Sequence, residues 1–168
     1  MNLLLRALEP EDLEALYQIE NSMEDWEFSA TTVPFSRYIL REYIINQKCD
    51  LYVDRQVRLV ICDRDNTSHI IGFADLSDYN PQHRRAEIGI IIMREFRSKG
   101  YAIQAIELLV EYAKSTRLVD HLYAYVSEDN VSCIRLLTEC GFEQTSILKK
   151  WFVKDEKKTN AVIFQFFL

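Results

Sequence analysis

The run Arg97–Ala102 has residue types suited to binding an anion, because it places two cations and a glycine directly ahead of a helical pattern. The first N–H groups of a helix have no intrahelical partners and carry partial positive charge, so they attract phosphate groups. Gly100 would let the backbone approach such a ligand closely. The pattern R-x-x-G-x-A is short, however, and a plain basic turn between two elements is the alternative interpretation.

The segment before this run has the pattern of a strand and the segment after it has the pattern of a helix, so the run would lie at a strand-to-helix junction. Residues 86–93 form a nearly continuous apolar segment of strand length, which is typical of a central strand covered on both faces. Residues 103–113 repeat apolar side chains at helical spacing, which predicts a helix with one core-facing stripe. A second strand at 121–126 is followed by a short helix that opens at Asn130 and ends at Gly141.

The remaining sequence predicts further elements of both kinds. Strands are expected at 3–8, 58–62, 69–76, 143–152 and 161–168, helices at 10–20 and 34–45, and a polar turn at 154–158. With 168 residues, of which 48% are hydrophobic, the chain can bury one sizeable core. We therefore expect a single mixed α/β domain over residues 1–168.

Composition also limits the partners and the compartment. No stretch reaches the roughly 18 apolar residues of a membrane span, and Met1–Leu5 is too short for a signal sequence. Four cysteines without C-x-x-C spacing favour reduced thiols, so a cytoplasmic protein is expected. A net charge of -6 with scattered basic residues disfavours nucleic-acid binding, and the three histidines have no metal-ligand spacing. The sequence leaves assembly into a homo-oligomer open.

The ordered pair of modules, R-x-x-G-x-A before one helix and then N-x-x-x-I-R-L-L-x-x-x-G-F, resembles the GNAT family of N-acetyltransferases over essentially the whole chain. The segment His83–Glu87 is similar to the bacterial spermidine N-acetyltransferase branch, and Asn130–Phe142 is shared with the ribosomal-protein acetyltransferase branch. The resemblance implies a single-domain fold with a mixed, mostly antiparallel twisted sheet, flanked by helices and with a splayed central strand. It also implies transfer of an acetyl group from acetyl-CoA, the cosubstrate, to a primary amine. That amine would belong to a polyamine-like small molecule or to a protein N-terminus.

The resemblance assigns the cofactor to the central strand and to the loop that follows it. In the family the central strand splays so that the pantetheine arm pairs with exposed backbone, which favours a bulge at Gly89; a core position too crowded for a side chain is the alternative. Exposed N–H groups near Ile90 and Ile91 would stabilise the oxyanion that forms on the thioester. The implied cofactor-binding residues are Gly89, Ile90, Ile91, Arg97, Ser98, Lys99, Gly100, Tyr101, Ala102 and Asn130.

Glu87 is the first candidate for the general base, since it begins the central strand beside the expected acetyl group. An alkyl amine has a pKa near 10, so an acceptor of its proton is needed for efficient attack at neutral pH. An ion pair with Arg84 or Arg85 is the alternative role for Glu87. Asp78 and Asp75, on the preceding strand, are further candidates for accepting the proton or binding the amine.

An acidic segment precedes the second helix and could select the acceptor. Eight acidic residues and no Lys or Arg lie between Ala7 and Ser36. Where the family builds its acceptor wall, Glu20, Glu24 and Glu27 would attract a cationic amine. A solvated, solubilising surface is the alternative interpretation of this segment.

Several positions depart from the family pattern. Leu137 stands where many relatives place a tyrosine that protonates the leaving thiolate, which leaves Tyr101, Tyr125 or water for that role. The loss of this donor motivates a rival hypothesis, an acyl-CoA-binding sensor with little or no turnover. Further departures are Cys133, the run Thr31-Thr32-Val33 and the pair Lys149-Lys150, of which the last two weaken a polyamine assignment specifically.

Overall fold

One seven-stranded sheet organises the computed structural model, which describes residues 2–23, 26, 33–154 and 156–168. In chain order the strands are β1 (Leu3–Ala7), β2 (Val57–Asp63), β3 (Ile70–Asn80), β4 (Arg85–Ile92), β5 (His121–Ser127), β6 (Glu143–Lys154) and β7 (Lys157–Phe167). Their spatial order is β1-β2-β3-β4-β5-β7-β6. Neighbouring strands are antiparallel except for β4 and β5, which are parallel. The expectation of a mixed, mostly antiparallel sheet is confirmed.

Five α-helices are found in the described part of the chain. They are α1 (Leu13–Glu20), α2 (Arg37–Asn46), α3 (Leu51–Asp54), α4 (Tyr101–Thr116) and α5 (Val131–Glu139), with 3-10 turns at Pro10–Asp12 and Arg94–Phe96. Side chains cap the starts of α2, α3 and α5; at α3 the Asp50 carboxylate accepts hydrogen bonds from the N–H groups of Tyr52 and Val53. Ser36 accepts a hydrogen bond from the N–H of Ile39 at the start of α2, and Asn130 accepts one from the N–H of Cys133 at the start of α5. None of the helices in the described ranges is long and apolar enough to cross a membrane.

The helices cover the two faces of the sheet, because side chains alternate along each strand. Helices α1 and α2 pack on one face, where Phe73 and its cross-strand partner Ile91 point. Helices α4 and α5 pack on the other face, against Leu76 and Ile88. Consecutive residues of β4 therefore face two separate cores.

The central strands diverge. The β4–β5 ladder contains only Arg85–Ala86–Glu87 opposite His121–Leu122–Tyr123. Beyond it, β4 stays paired with β3 as far as Ile92, while β5 stays paired with β7 as far as Ser127. The splayed central strand implied by the family resemblance is confirmed.

The bulge expected at Gly89 is wrong. The β3–β4 register is unbroken from Ser77–Glu87 to Gly72–Ile92, and Gly89 lies in the middle of it. The irregularity lies instead on β3, between Ser77 and Asn80, where Asp78 adopts a left-handed conformation with φ 47°. The opening therefore comes from the loss of β5 as a partner and not from an extra residue in β4.

Other boundaries differ from the sequence-based expectation for local reasons. The first predicted helix is divided into a 3-10 turn and α1, and the second starts at Arg37 because Ser36 caps it. Helix α3 was not predicted. Strand β7 begins at Lys157, which pairs with Lys154, so the predicted polar turn is mostly strand.

A substitution at Gly72 tests how closely β3 and β4 pack. A Cβ at Gly72 would overlap the carbonyl oxygen of Ile91, which belongs to the backbone and cannot rotate away. We expect Gly72→Ala to lower the free energy of unfolding by about 2 kcal/mol or more, measured by urea denaturation.

Gly89→Ala is the matched control, since its added Cβ would meet the Asp75 side chain at 3.4 Å, close to ordinary contact. It should cost less than about 1 kcal/mol. Equal losses in the two variants would contradict the packing described for Gly72.

Candidate active site

A cleft of about 910 Å³ occupies the gap where β4 and β5 separate. It is lined from both faces of the sheet. Ile106 of α4 and Leu137 of α5 line its apolar side, whereas Tyr43 of α2 lines the opposite side together with charged residues of the strands. The cleft therefore connects the two faces through the opening in the sheet.

Glu87 lies at the point where the strands fork. It is the last β4 residue paired with β5, it lines the cleft, and it is half-buried. Burial and then the charge of Asp78 raise the pKa of Glu87, while a hydrogen bond from the backbone N–H of Tyr125 opposes the rise. The ion pair considered for it does not form with Arg84, whose guanidinium binds Asp120 at 2.9 Å. Within the described ranges Glu87 has no ion-pair partner.

Asp78 is exposed and bound by a tyrosine that sequence reasoning did not select for this role. The hydroxyl of Tyr123 donates to Asp78 Oδ2 at 2.5 Å. Tyr123 is buried, and burial followed by this hydrogen bond raises the pKa of its hydroxyl, so it remains the protonated donor at neutral pH. Asp78 is therefore fixed beside Glu87.

A cluster of three charged side chains, which we call the Arg58 cluster, lies on the same face as Glu87. The guanidinium of Arg58 donates to both carboxylate oxygens of Asp75, at 2.6 and 3.0 Å, and also binds Glu20 at the end of α1. Burial would lower the pKa of Arg58, but Asp75 and Glu20 outweigh it and raise the pKa. Glu20, predicted as an acceptor-binding residue, is thus an ion-pair partner within a cluster of net charge -1.

The other two acidic residues predicted to bind the acceptor, Glu24 and Glu27, lie outside the described residues, as do Thr31 and Thr32. Between them Trp26 is described. Its indole N–H donates to the backbone oxygen of Glu20 at 2.8 Å, and its ring lines the cleft.

The predicted phosphate loop forms the N-terminus of α4, just beyond β4. Gly100 precedes the helix with φ 81°, a left-handed conformation that side chains disfavour, and Ser98 has φ 59°. Two loop cations donate to backbone oxygens, Arg97 Nε to Ile92 at 2.8 Å and Lys99 Nζ to Glu95 at 2.7 Å. The loop is thereby anchored to the last residue of β4.

Tyr101 and Ala102, the last two predicted cofactor residues of this loop, form the first turn of α4. The Tyr101 ring packs edge-on against Phe96 at 5.9 Å, and both Tyr101 and Ala102 contact the core beneath α4. Tyr101 is not among the described residues that line the cleft, so it is poorly placed to protonate a group there.

Asn130 lines the cleft and caps α5. Its Oδ1 accepts from the N–H of Cys133 at 3.1 Å and from the hydroxyl of Ser132 at 2.9 Å. One turn after Cys133, Leu137 is buried against the cleft. The position at which the family resemblance implied a tyrosine donor therefore holds a buried apolar side chain that lines the cleft.

Tyr125 and Trp151 bring aromatic surface to the cleft. Both line it, and their rings stack at 5.8 Å. Sequence reasoning missed Trp151, Trp26 and Tyr43, because their positions give no periodic signal that links them to β4.

No group of three His, Cys, Asp or Glu residues that could hold a metal is present among the described residues.

Residues 2–143 match the family model described as an acetyltransferase (GNAT) domain. The chain belongs to this GNAT family. Its fold is therefore that of a GNAT domain, and the family resemblance noted in the sequence is confirmed.

Spermidine N(1)-acetyltransferases are among the curated relatives of this GNAT protein. The enzyme of Vibrio cholerae serotype O1 is 28% identical over 155 residues, covering 90% of this chain and 85% of the relative. That of Escherichia coli K12 is 28% identical over 161 residues, covering 94% and 82%. An uncharacterised N-acetyltransferase of Bacillus licheniformis, p20, is 26% identical over 149 residues, covering 89% and 83%.

Solved structures agree over nearly the full length. The spermidine N-acetyltransferase of Vibrio cholerae in complex with CoA and spermine matches with a TM-score of 0.88 at 26% identity, covering 99% of this chain and 95% of that chain. A dodecameric structure of the Vibrio cholerae enzyme in an intermediate state has a TM-score of 0.82 at 27% identity, covering 99% and 94%.

The GNAT protein is an N-acetyltransferase that uses acetyl-CoA as donor and an amine as acceptor. The rival hypothesis of a sensor without turnover is not favoured.

The Arg58 cluster provides a prediction about stability. Its side chains are only 17–22% exposed, so removing the cation leaves two carboxylates poorly solvated and close together. We expect Arg58→Met to lower the free energy of unfolding by about 2–4 kcal/mol, measured by urea denaturation at low salt.

Arg37→Met is the control, because Arg37 makes a similar two-pronged contact with Glu14, at 2.8 and 2.9 Å, in which both side chains are more than half exposed. Water screens that pair, so its loss should change stability little. A loss in Arg58→Met no larger than in Arg37→Met would contradict a stabilising role for the cluster.

Proposed function

We propose that this N-acetyltransferase transfers acetyl directly from acetyl-CoA to a primary amine of a polyamine such as spermidine, within one ternary complex. The observation that carries the proposal is the negatively charged cleft at the fork of β4 and β5, with Glu87 at its apex. The names of the relatives and the spermine complex of the structural neighbour support the same acceptor class. A protein N-terminus is the competing acceptor.

The α4–α5 side of the opening suits the cofactor. Past Glu87, the backbone of β4 has no partner on the β5 side, so Gly89, Ile90 and Ile91 can hydrogen-bond the pantetheine arm. In this proposal the pyrophosphate binds at the loop Arg97–Ala102, on the N–H groups that open α4. N–H groups near Ile90 and Ile91 would then meet the thioester oxygen as negative charge develops on it.

The α1–α2 side suits a cationic acceptor. Among the described lining residues, Asp75, Glu87 and Asp129 carry negative charge and Arg58 alone carries positive charge. Asp129 is in turn 3.5 Å from the exposed Lys157. Their summed field would raise the local concentration of a polycation.

Aromatic rings add to this preference. Trp26, Tyr43, Tyr125 and Trp151 line the cleft. Aromatic faces attract ammonium groups and also cover the methylene chain that separates them in a polyamine.

Glu87 is the proposed general base. The amine nitrogen attacks the thioester carbonyl carbon, its proton passes to the Glu87 carboxylate directly or through water, and the carbon–sulfur bond breaks to release the thiolate. Burial and the neighbouring Asp78 raise the pKa of Glu87, which brings it closer to neutrality and makes it a better base. Because Leu137 has no proton to give, the thiolate takes one from water or from Tyr125, the cleft-lining tyrosine.

Assembly and location complete the proposal. The dodecameric neighbour supports an oligomer for this chain too. The four cysteines are free, which agrees with the reducing, cytoplasmic setting expected from their spacing.

The deciding experiment is an amine panel run on the wild type and on Glu87→Gln. We expect acetyl-CoA consumption with spermidine and spermine, much weaker turnover with a short uncharged peptide, and a kcat about 10² lower in Glu87→Gln. Coenzyme A binding should remain. The wild-type rate should fall as the pH drops through the raised pKa of Glu87, since only the carboxylate accepts a proton.

Glu111→Gln is the matched control, because Glu111 is an exposed residue of α4 paired with Lys114; its activity should equal that of the wild type. Turnover with the peptide alone would contradict the polyamine assignment. Full activity of Glu87→Gln would remove Glu87 from the mechanism.

The phosphate loop is tested by Gly100→Val. A branched side chain at φ 81° would strain the turn and stand where the backbone meets pyrophosphate, so coenzyme A affinity should fall at least about tenfold, measured calorimetrically on folded protein.

Gly141→Val separates strain from binding, since Gly141 has a similar φ of 84° just after α5 and no role in the loop. It should lose stability and keep its affinity for coenzyme A. Equal affinity losses in both variants would count against the loop as the pyrophosphate site.

A further inference from the structure

We infer that Tyr123 and Asp78 act as a positioning pair for Glu87, in which the Tyr123 hydroxyl holds the Asp78 carboxylate in place beside the base. The inference rests on the proposed function, because it takes Glu87 as the group that accepts the amine proton. Neither residue needs to touch the acetyl group or the amine for this role.

The hydrogen bond spans the central strand at the fork. Tyr123 of β5 is the register partner of Glu87, in the last pair before β4 and β5 separate. Asp78 belongs to β3, on the other side of β4, within the irregular step that follows Ser77, the β3 partner of Glu87. The 2.5 Å bond from Tyr123 to Asp78 therefore connects the two strands that flank Glu87.

Tyr123 is buried and Asp78 is exposed, so the tyrosine holds the carboxylate in place and not the reverse. Tyr123 is 6% exposed and packs edge-on against Tyr125 at 5.6 Å, so its ring is fixed. Asp78 is exposed and has a left-handed backbone conformation that costs energy for a residue with a side chain. Without the Tyr123 hydroxyl, the Asp78 carboxylate would be free to turn into water, where its field at Glu87 is screened.

A carboxylate held at this point acts on Glu87 through its charge. Asp75 and Asp78 lie on β3 and Tyr123 and Tyr125 on β5, the two strands beside Glu87, and Arg85 lies two residues before it on β4. Asp75 is bound to Arg58, and Tyr123 directs its proton to Asp78. After burial, the charge of Asp78 is the next cause of the raised pKa of Glu87.

Tyr123 also keeps Glu87 available. Its proton is directed to Asp78 and not to Glu87, so the Glu87 carboxylate stays available to the amine or to a water molecule. The same hydrogen bond fixes the distance between β3 and β5 at the apex of the cleft.

Asp78→Asn and Tyr123→Phe test the two halves of the pair. Asparagine can still accept from Tyr123 but has no charge, and phenylalanine keeps the ring but has no donor. The Glu87 carboxyl is followed by ¹³C NMR titration, with Glu87→Gln to assign its signal, and kcat/KM for spermidine is measured against pH.

In Asp78→Asn we expect the Glu87 titration and the acidic limb of the pH profile to move together to lower pH. In Tyr123→Phe we expect a smaller shift in the same direction and a kcat about tenfold lower, because the base is less well positioned. The KM for acetyl-CoA should stay unchanged in both variants.

Tyr79→Phe is the matched control. Tyr79 is a buried tyrosine next to Asp78 whose hydroxyl donates to the backbone oxygen of Leu118 at 3.1 Å, remote from Glu87. Its loss should lower the Tm and leave the Glu87 titration and the pH profile in place.

An unchanged Glu87 titration in Asp78→Asn would overturn the inference, as would a shift in Tyr123→Phe toward higher pH. If Tyr123→Phe does not fold, the titration of Asp78→Asn decides alone. Failure of the proposed function gives a different result, namely full activity of Glu87→Gln, whatever the titration shows.

Discussion

The rest of the structure depends on how early the parallel ladder between β4 and β5 ends. Parallel pairing between β4 and β5 stops at Glu87 and Tyr123, although each strand continues for several residues with its other neighbour. Unpaired backbone groups within a sheet are costly when buried, so the gap must be filled by solvent or by a ligand with complementary donors and acceptors. An arm of alternating amide and methylene groups matches that requirement. The early end of the β4–β5 ladder thus creates the cleft in which we propose that the cofactor binds.

The alternation of side chains along β4 divides the site chemically. Residues that point toward α4 and α5, such as Ile88 and Ile90, give an apolar wall, whereas Glu87 and Gly89 point toward α1, α2 and the Arg58 cluster. In the proposed function, the pantetheine arm and a cationic amine therefore approach one carbonyl carbon from opposite faces of the same sheet. The small size of Gly89 leaves space beside Asp75 between the two approaches.

Sequence patterns predicted the elements with strong periodicity and the residues within them. The apolar run of β4, the stripe of α4 and the Asn130 cap were sufficient to place these elements and the loop before α4, because these signals are local, whereas the fork was expected from the family resemblance. The β3 irregularity at Asp78, the pairing of Glu20 with Arg58 and the bond from Tyr123 to Asp78 could not be predicted in this way. The two side-chain contacts join residues 38 and 45 positions apart, and all three features depend on strand register, which the sequence specifies only through the assembled sheet. Gly89 misled the prediction of a bulge because glycine signals both bulges and close approach by a ligand.

The position of the cleft also bears on kinetics. The cleft is lined from both faces of the sheet, so in the proposed function the donor and the acceptor approach it from opposite faces. With that placement, access alone would impose no compulsory order of addition, and the acetylated amine could leave while coenzyme A is still bound. Where product release rather than chemistry limits turnover, the slower of these two departures would set the rate of the proposed reaction.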